Sequence, residues 1–145
     1  SSMPERLAQR GPVRRGGAGR AVLVVDSVPI ARKFLVQRLA ALGYDAHAAE
    51  DGERAMAALQ ARPFAIVFLE LELSGGIDGL SLCVAVKQTP PAPGAKVPAV
   101  VITTGEAGSM ARVRGTLARC DAYLNKPLIE ADLVAALGEV DPLFN

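Results

Sequence analysis

Phe64-Ala65-Ile66-Val67-Phe68-Leu69-Glu70 decides how this chain is read. Six apolar residues run without polar alternation and end on a carboxylate. A strand buried on both faces of a parallel sheet has this appearance, and Glu70 then stands where it emerges at the sheet's rim. Outward from it the same grammar repeats. Ala21-Val22-Leu23-Val24-Val25 is a short apolar run ending at Asp26-Ser27. Tyr44 to Ala49 is an alanine-rich strand, Val97 to Thr103 a fourth strand ending at Thr103-Thr104, and Ala122 to Leu124 a short fifth one before Lys126-Pro127.

Helical spacing fills the gaps. Ile30, Phe34, Leu35, Leu39 and Leu42 recur on one helix that Gly43 stops. A second helix begins at Asp51 and ends at Pro63, and a third spans about Gly79 to Gln88. Thr89-Pro90-Pro91-Ala92-Pro93-Gly94 is a loop, because its prolines lack amide donors. Met110 to Ala118 reads as a fourth helix and Ile129 to Val140 as a fifth. Five strands alternating with helices give an α/β fold, a five-stranded parallel sheet covered on both faces. Ligand sites in such sheets lie at the carboxyl ends of the strands, which singles out Asp26, Ser27, Glu70, Thr104 and Lys126.

Composition sets the outer limits. The chain has 145 residues, half of them hydrophobic, enough for one domain with a real core. A formal net charge of +1 gives no global attraction to nucleic acid, and no apolar run reaches the length of a membrane span. A cytoplasmic location is the expectation. Cys83 and Cys120 lack metal-ligand spacing and read as plain thiols. His47, the one histidine, reads as a surface residue, and Phe34, Phe64 and Phe68 as core. Residues 1–20 gather Arg6, Arg10, Arg14, Arg15 and Arg20 against Glu5 alone, with several glycines, so they read as a disordered basic leader. The domain is expected over residues 21–140, with 141–145 as a tail.

Val24-Val25-Asp26-Ser27, the Phe64–Glu70 strand, Gly75-Gly76-Ile77-Asp78-Gly79, Thr104-Gly105 and Asp121-Ala122-Tyr123-Leu124-Asn125-Lys126-Pro127 stand in order at fixed spacings. Together they resemble the receiver domain of two-component response regulators, over about residues 20–140. The resemblance implies strand order 2-1-3-4-5 in a flavodoxin-like fold. It assigns Glu70 to the phosphoacceptor position, Asp26 and Ser27 to the acidic pocket, Thr104 and Tyr123 to the switch pair, and Lys126 to the phosphoryl-contacting lysine. It also implies a protein partner, or a second copy, on the face made by the fourth helix, fifth strand and fifth helix. The stretch from Arg112-Val113-Arg114-Gly115 to Lys126-Pro127 further resembles receivers tied to bacterial surface motility.

Two departures shape the expected function. The family's acceptor is aspartate, and here it is Glu70. One of the family's metal-binding carboxylates is here Ser27. A unit charge contact at about 4 Å is worth up to ~4 kcal/mol at an effective dielectric of about 20, so Mg²⁺ binding should be weak or absent. The degenerate metal set would be Asp26, Glu70 and the Glu72 backbone carbonyl. Glu70 also carries one methylene too many for an in-line phosphoryl transfer. An ion pair from Lys126 to Glu70 or Asp26 is expected to close the site without metal. If the switch survives, Tyr123 should be buried and Thr104 drawn toward Glu70. The chain thus reads as a pseudo-receiver, without cofactor and not an enzyme, acting as a phosphorylation-independent interaction module. The alternatives are a working phosphorelay acceptor using Glu70 or Asp26, and binding of DNA or acidic lipid through the arginine-rich leader.

Overall fold

The computed structural model describes residues 20–105, 116 and 118–144. Its strands are β1 (Ala21–Val25), β2 (Asp45–Ala49), β3 (Ile66–Glu70), β4 (Ala99–Thr104) and β5 (Ala122–Asn125). Its helices are α1 (Pro29–Ala41), α2 (Gly52–Ala61), α3 (Gly79–Gln88) and α4 (Glu130–Val140). The five strands form one parallel sheet in the order β2-β1-β3-β4-β5. The order reverses between β1 and β3, so the rim residues of those two central strands meet at the crevice. The basic leader before Arg20, most of the expected Met110–Ala118 helix, and Asn145 lie outside the described residues.

Alternation along the central strands splits the core into two layers. Leu23, Val25, Val67, Leu69, Val100 and Ile102 pack on one face with Ala55, Leu82 and Cys83 of α2 and α3. Val22, Val24, Ile66, Phe68 and Val101 pack on the other with Leu35 and Leu39 of α1 and Leu133 and Leu137 of α4. Both faces of β1 and β3 are therefore consumed, which is why their sequences show no polar alternation.

Local chemistry starts and stops the helices where the chain needs to turn. Asp51 caps α2 by accepting from the Arg54 amide at 2.8 Å, and Asp78 caps α3 by accepting from the Ser81 amide at 2.7 Å. Gly43, at φ 98°, closes α1. Gly79 is required by close approach. A Cβ there would lie 2.3 Å from the Glu70 carbonyl oxygen and 2.6 Å from that of Leu71. Only glycine lets α3 begin directly against the end of β3.

Two expectations from the sequence need correction. Phe34 is not core: it is 44% exposed, and Ile30 is exposed too. Leu35 and Leu39, four residues apart, already fill the stripe that faces the sheet, and Phe34 lies one residue, about 100° of helix, off that stripe. The segment after residue 140 is not a loose tail. Asp141 and Phe144 are buried. Asp141 pairs with Arg20, accepts from the Tyr44 hydroxyl at 2.6 Å and from the Leu143 amide at 2.9 Å, while Phe144 stacks on Tyr44. A buried carboxylate needs such partners, and they join both ends of the described chain to the fold.

His47 is half-buried, edge-on to Phe64 and 3.0 Å from Asp45. Cys83 is buried, which pushes its thiol up to about 12, and Cys120 is half-buried. No helix among the described residues is long and apolar enough to cross a membrane.

Candidate functional site

Three strands deliver the site. β1 ends at Val25 and its ladder runs one bond further, from the Asp26 amide to the Ala49 carbonyl. β3 ends at Glu70, which stands opposite Thr103 in the β3–β4 register. Thr104 pairs with Asn125, and the Lys126 amide donates to the Thr104 carbonyl at 2.8 Å. The Lys126 side chain can therefore reach back over the rim.

It reaches both carboxylates. Lys126 Nζ lies 3.0 Å from Glu70 Oε2 and 3.1 Å from Asp26 Oδ2. Ser27 supplies the other side of Glu70: its hydroxyl donates to Oε1 at 2.7 Å and its amide at 2.9 Å. Asp26 Oδ1 accepts from the Val28 amide at 2.8 Å, and its backbone carbonyl accepts from Arg32 at 2.7 Å. Asp26 and Glu70 are 4% and 5% exposed, so these contacts replace nearly all of their hydration.

The two carboxylates share one ammonium unequally. Burial pulls the Glu70 carboxyl upward, but the Ser27 hydroxyl, the Ser27 amide and Lys126 together outweigh it and hold Glu70 below its ordinary value. Asp26 has fewer donors. Burial pushes it above the usual carboxylate range, aided by the Glu70 charge, and Val28 and Lys126 only partly offset this. Lys126 loses solvation too, yet its two anionic partners carry it above the ordinary lysine value.

Thr104, buried at the end of β4, turns to Glu72, whereas a surviving switch is expected to draw it toward Glu70. Its hydroxyl donates to Glu72 Oε2, and the Gly105 amide donates to Glu72 Oε1 at 3.3 Å. Glu70 already has donors for both of its oxygens, whereas Glu72 lies just past β3 beside the end of β4. The Leu71 amide extends the β3–β4 ladder to the Thr103 carbonyl at 2.8 Å and fixes that proximity. The sequence gives Glu72 a role through its backbone carbonyl alone; in the structure its side chain is what the rim engages. The available signal is that Glu72 follows the last strand residue by only two positions, which keeps it close to the rim.

Tyr123 stands apart from the carboxylates. It is half-buried against the α2–α3 layer. Burial and the Cys120 thiol push its hydroxyl up to about 12. Beside it, between β5 and α4, a hollow of about 240 Å³ is lined by Tyr123, Asn125, Asp132 and Glu139 among others. A larger, mostly apolar hollow of about 430 Å³ opens between α2, α3 and the proline loop, and no rim residue lines it.

The chain matches the family model of the response regulator receiver domain over residues 22–138. It is 32% identical over 135 residues to the gliding motility regulatory protein of Myxococcus xanthus, covering 92% of this chain and 17% of that protein. It is 30% identical over 136 residues to the transcriptional regulatory protein TcrA of Mycobacterium tuberculosis, covering 90% of this chain and 50% of that protein. The chain thus spans half or less of the length of these two relatives. Among solved structures it resembles chemotaxis protein CheY4 of Vibrio cholerae, with a TM-score of 0.75 and 24% identity over 85% of this chain and 99% of that one. A CheY-like receiver domain from Methylobacillus flagellatus gives a TM-score of 0.72 and 25% identity, over 86% of this chain and all of that one. The crevice at the ends of β1, β3 and β4, its lysine on the loop after β5, and the family match over residues 22–138 lead to one assignment: the chain belongs to the response regulator receiver domain family of bacterial two-component signalling.

Proposed function

We propose that this receiver works without phosphorylation of its acceptor position and acts as a protein-interaction module. The observation that carries the reading is how Glu70 is held: one oxygen accepts two bonds from Ser27 and the other is paired with Lys126. A nucleophilic carboxylate needs an oxygen lined up with the phosphorus; Oε1 has both of its acceptor positions filled by Ser27, and Oε2 is turned to Lys126. The donor set also fits Mg²⁺ poorly. The ion prefers near-octahedral oxygen ligands, and Ser27 presents a hydroxyl that is donating to Glu70 where a second β1-end carboxylate would be needed. Asp26 and Glu70 are, moreover, already partly neutralised by Lys126.

The partner surface that fits this reading is the exposed side of β5 and α4. β5 is the edge strand, so its outer side has no neighbour in the sheet. Asp132 and Glu139 give the hollow beside it a negative rim, which suits a partner bearing lysine or arginine. Arg112 and Arg114, on the expected helix that would complete this face, lie outside the described residues.

Intact mass after incubation with acetyl phosphate and Mg²⁺ tests the reading, with the Glu70→Asp/Ser27→Asp double variant alongside. The expected result is no adduct on the unaltered chain and a phosphoryl adduct on the double variant. An adduct on the unaltered chain would overturn the proposal and make this domain a working phosphorelay acceptor.

A further inference from the structure

Glu72 does something that neither the acceptor position nor the acidic pocket accounts for. Its carboxylate takes the hydroxyl of Thr104 on one oxygen and the amide of Gly105 on the other. Thr104 is 1% exposed, so its hydroxyl has almost no access to water and depends on this kind of partner. A carboxylate offers two acceptor oxygens in a fixed fork, and a hydroxyl followed by the next backbone amide is a matching pair of donors. The pairing is set by the fold, because the Leu71–Thr103 bond locks the residue before Glu72 against the residue before Thr104.

We infer that Glu72 is a built-in anion that holds the hydroxyl and amide at the end of β4, so that this part of the rim is engaged by the chain itself instead of by an added oxyanion. The inference deepens the function proposed above and rests on it: an oxyanion added at this end of the crevice would have to displace Glu72 from Thr104 and Gly105. Glu70 and Glu72 then divide the rim between them. Glu70 gathers Ser27 and Lys126, and Glu72 gathers Thr104 and Gly105. Glu72 is a positioning residue for Thr104; it touches neither Asp26 nor Lys126 by any bond among the described residues.

Nuclear magnetic resonance of the labelled full chain reads both donors directly. In the unaltered protein the Thr104 hydroxyl proton should exchange slowly enough to be seen, and the Gly105 amide should lie downfield. Glu72→Gln keeps one acceptor oxygen, so it should free at least one of the two donors, seen as loss of the hydroxyl signal or an upfield shift of the Gly105 amide, while Glu70→Gln leaves both in place. Spectra of Glu72→Gln that overlay the unaltered protein at these two residues would overturn the inference, as would equal shifts from Glu70→Gln. Should Glu72→Gln fail to fold, Thr104→Val gives the reverse view. It should move the side-chain carboxyl carbon of Glu72 and spare that of Glu70; a Glu72 carbon that stays put refutes the pairing. The acetyl phosphate experiment is independent of these signals, so an adduct on the unaltered chain would remove the proposed function without being mistaken for failure of the Glu72 assignment.

Discussion

The two ends of the sheet treat a buried carboxylate in opposite ways. At the end where the strands begin, Asp141 meets one guanidinium, from Arg20, and the Tyr44 hydroxyl. Charge is matched one to one and an aromatic pair covers it. At the rim, Asp26 and Glu70 share the single ammonium of Lys126. Among these three groups one negative charge is left over, and hydroxyl and amide donors make up part of the difference. A matched pair serves the fold. Under the proposed function, the unmatched set marks a crevice that the chain's own donors close.

The comparison can be broken first at its stronger end. Asp141→Ala strands the buried Tyr44 hydroxyl and takes the partner from the partly exposed Arg20 guanidinium. Losing a buried acceptor and half of a partly buried pair costs about 2–3 kcal/mol, and urea denaturation should report a loss of that order. A change well under about 1 kcal/mol would mean that the Arg20–Asp141–Tyr44 junction is not part of the cooperative fold. Lys126→Met comes next. It leaves two neighbouring carboxylates unpaired, but Lys126 keeps some solvent access and Asp26 can take up a proton. The expected loss is about 2 kcal/mol at neutral pH, smaller in acid. Equal losses at both pH values would argue that the ammonium is not what balances the rim. Ser27→Ala is milder. It removes one hydrogen bond to Glu70 and leaves the Ser27 amide and Lys126 in place, a loss of about 1 kcal/mol by thermal or urea denaturation. No loss at all would imply that Glu70 is not held from that side.

Much of this is legible in the sequence, and the reasons differ by region. β1 and β3 announce themselves because strands buried on both faces must be apolar throughout, and the residues that end them fall at the rim by topology alone. The start of α3 is legible to the residue, since Asp78 caps it and Gly79 alone fits against the β3 carbonyls. Phe34 misleads because periodicity gives a stripe without its phase. Two leucines four residues apart are enough to cover the sheet, and the phenylalanine beside them is left outside. Asp141 and Phe144 escape a reading of the sequence because what buries them comes from Arg20 and Tyr44, distant in the chain. Thr104 goes to the wrong carboxylate for a similar reason. The resemblance points it to Glu70 if the switch survives, and only the donors already on Glu70 and the nearness of Glu72 turn it the other way.

The smallest expected effect is also the most specific to the unmatched rim. Asp26 is raised above its ordinary value of 3.8 by burial, so the folded protein binds that proton more tightly than the unfolded chain does. Between the ordinary and the raised value, its contribution to stability therefore falls as pH rises. Glu70 is held below its ordinary value of 4.5, so its contribution is present above that value and is lost as pH falls through the lowered one. The two work against each other in acid. Asp26→Asn removes the first alone. Relative to the unaltered protein it should gain stability as pH climbs through the Asp26 window, then level off toward neutrality. Glu70→Gln should do the reverse and fall behind over the window just below 4.5. Urea midpoints measured from about pH 3 to about pH 8 resolve the two curves. If both differences run flat, the carboxylates titrate alike in the folded and unfolded states, and the surplus charge at the rim has no energetic consequence. If they diverge with the signs given, the proton that balances the rim belongs to Asp26, and Glu70 stays an anion gripped by Ser27 and Lys126.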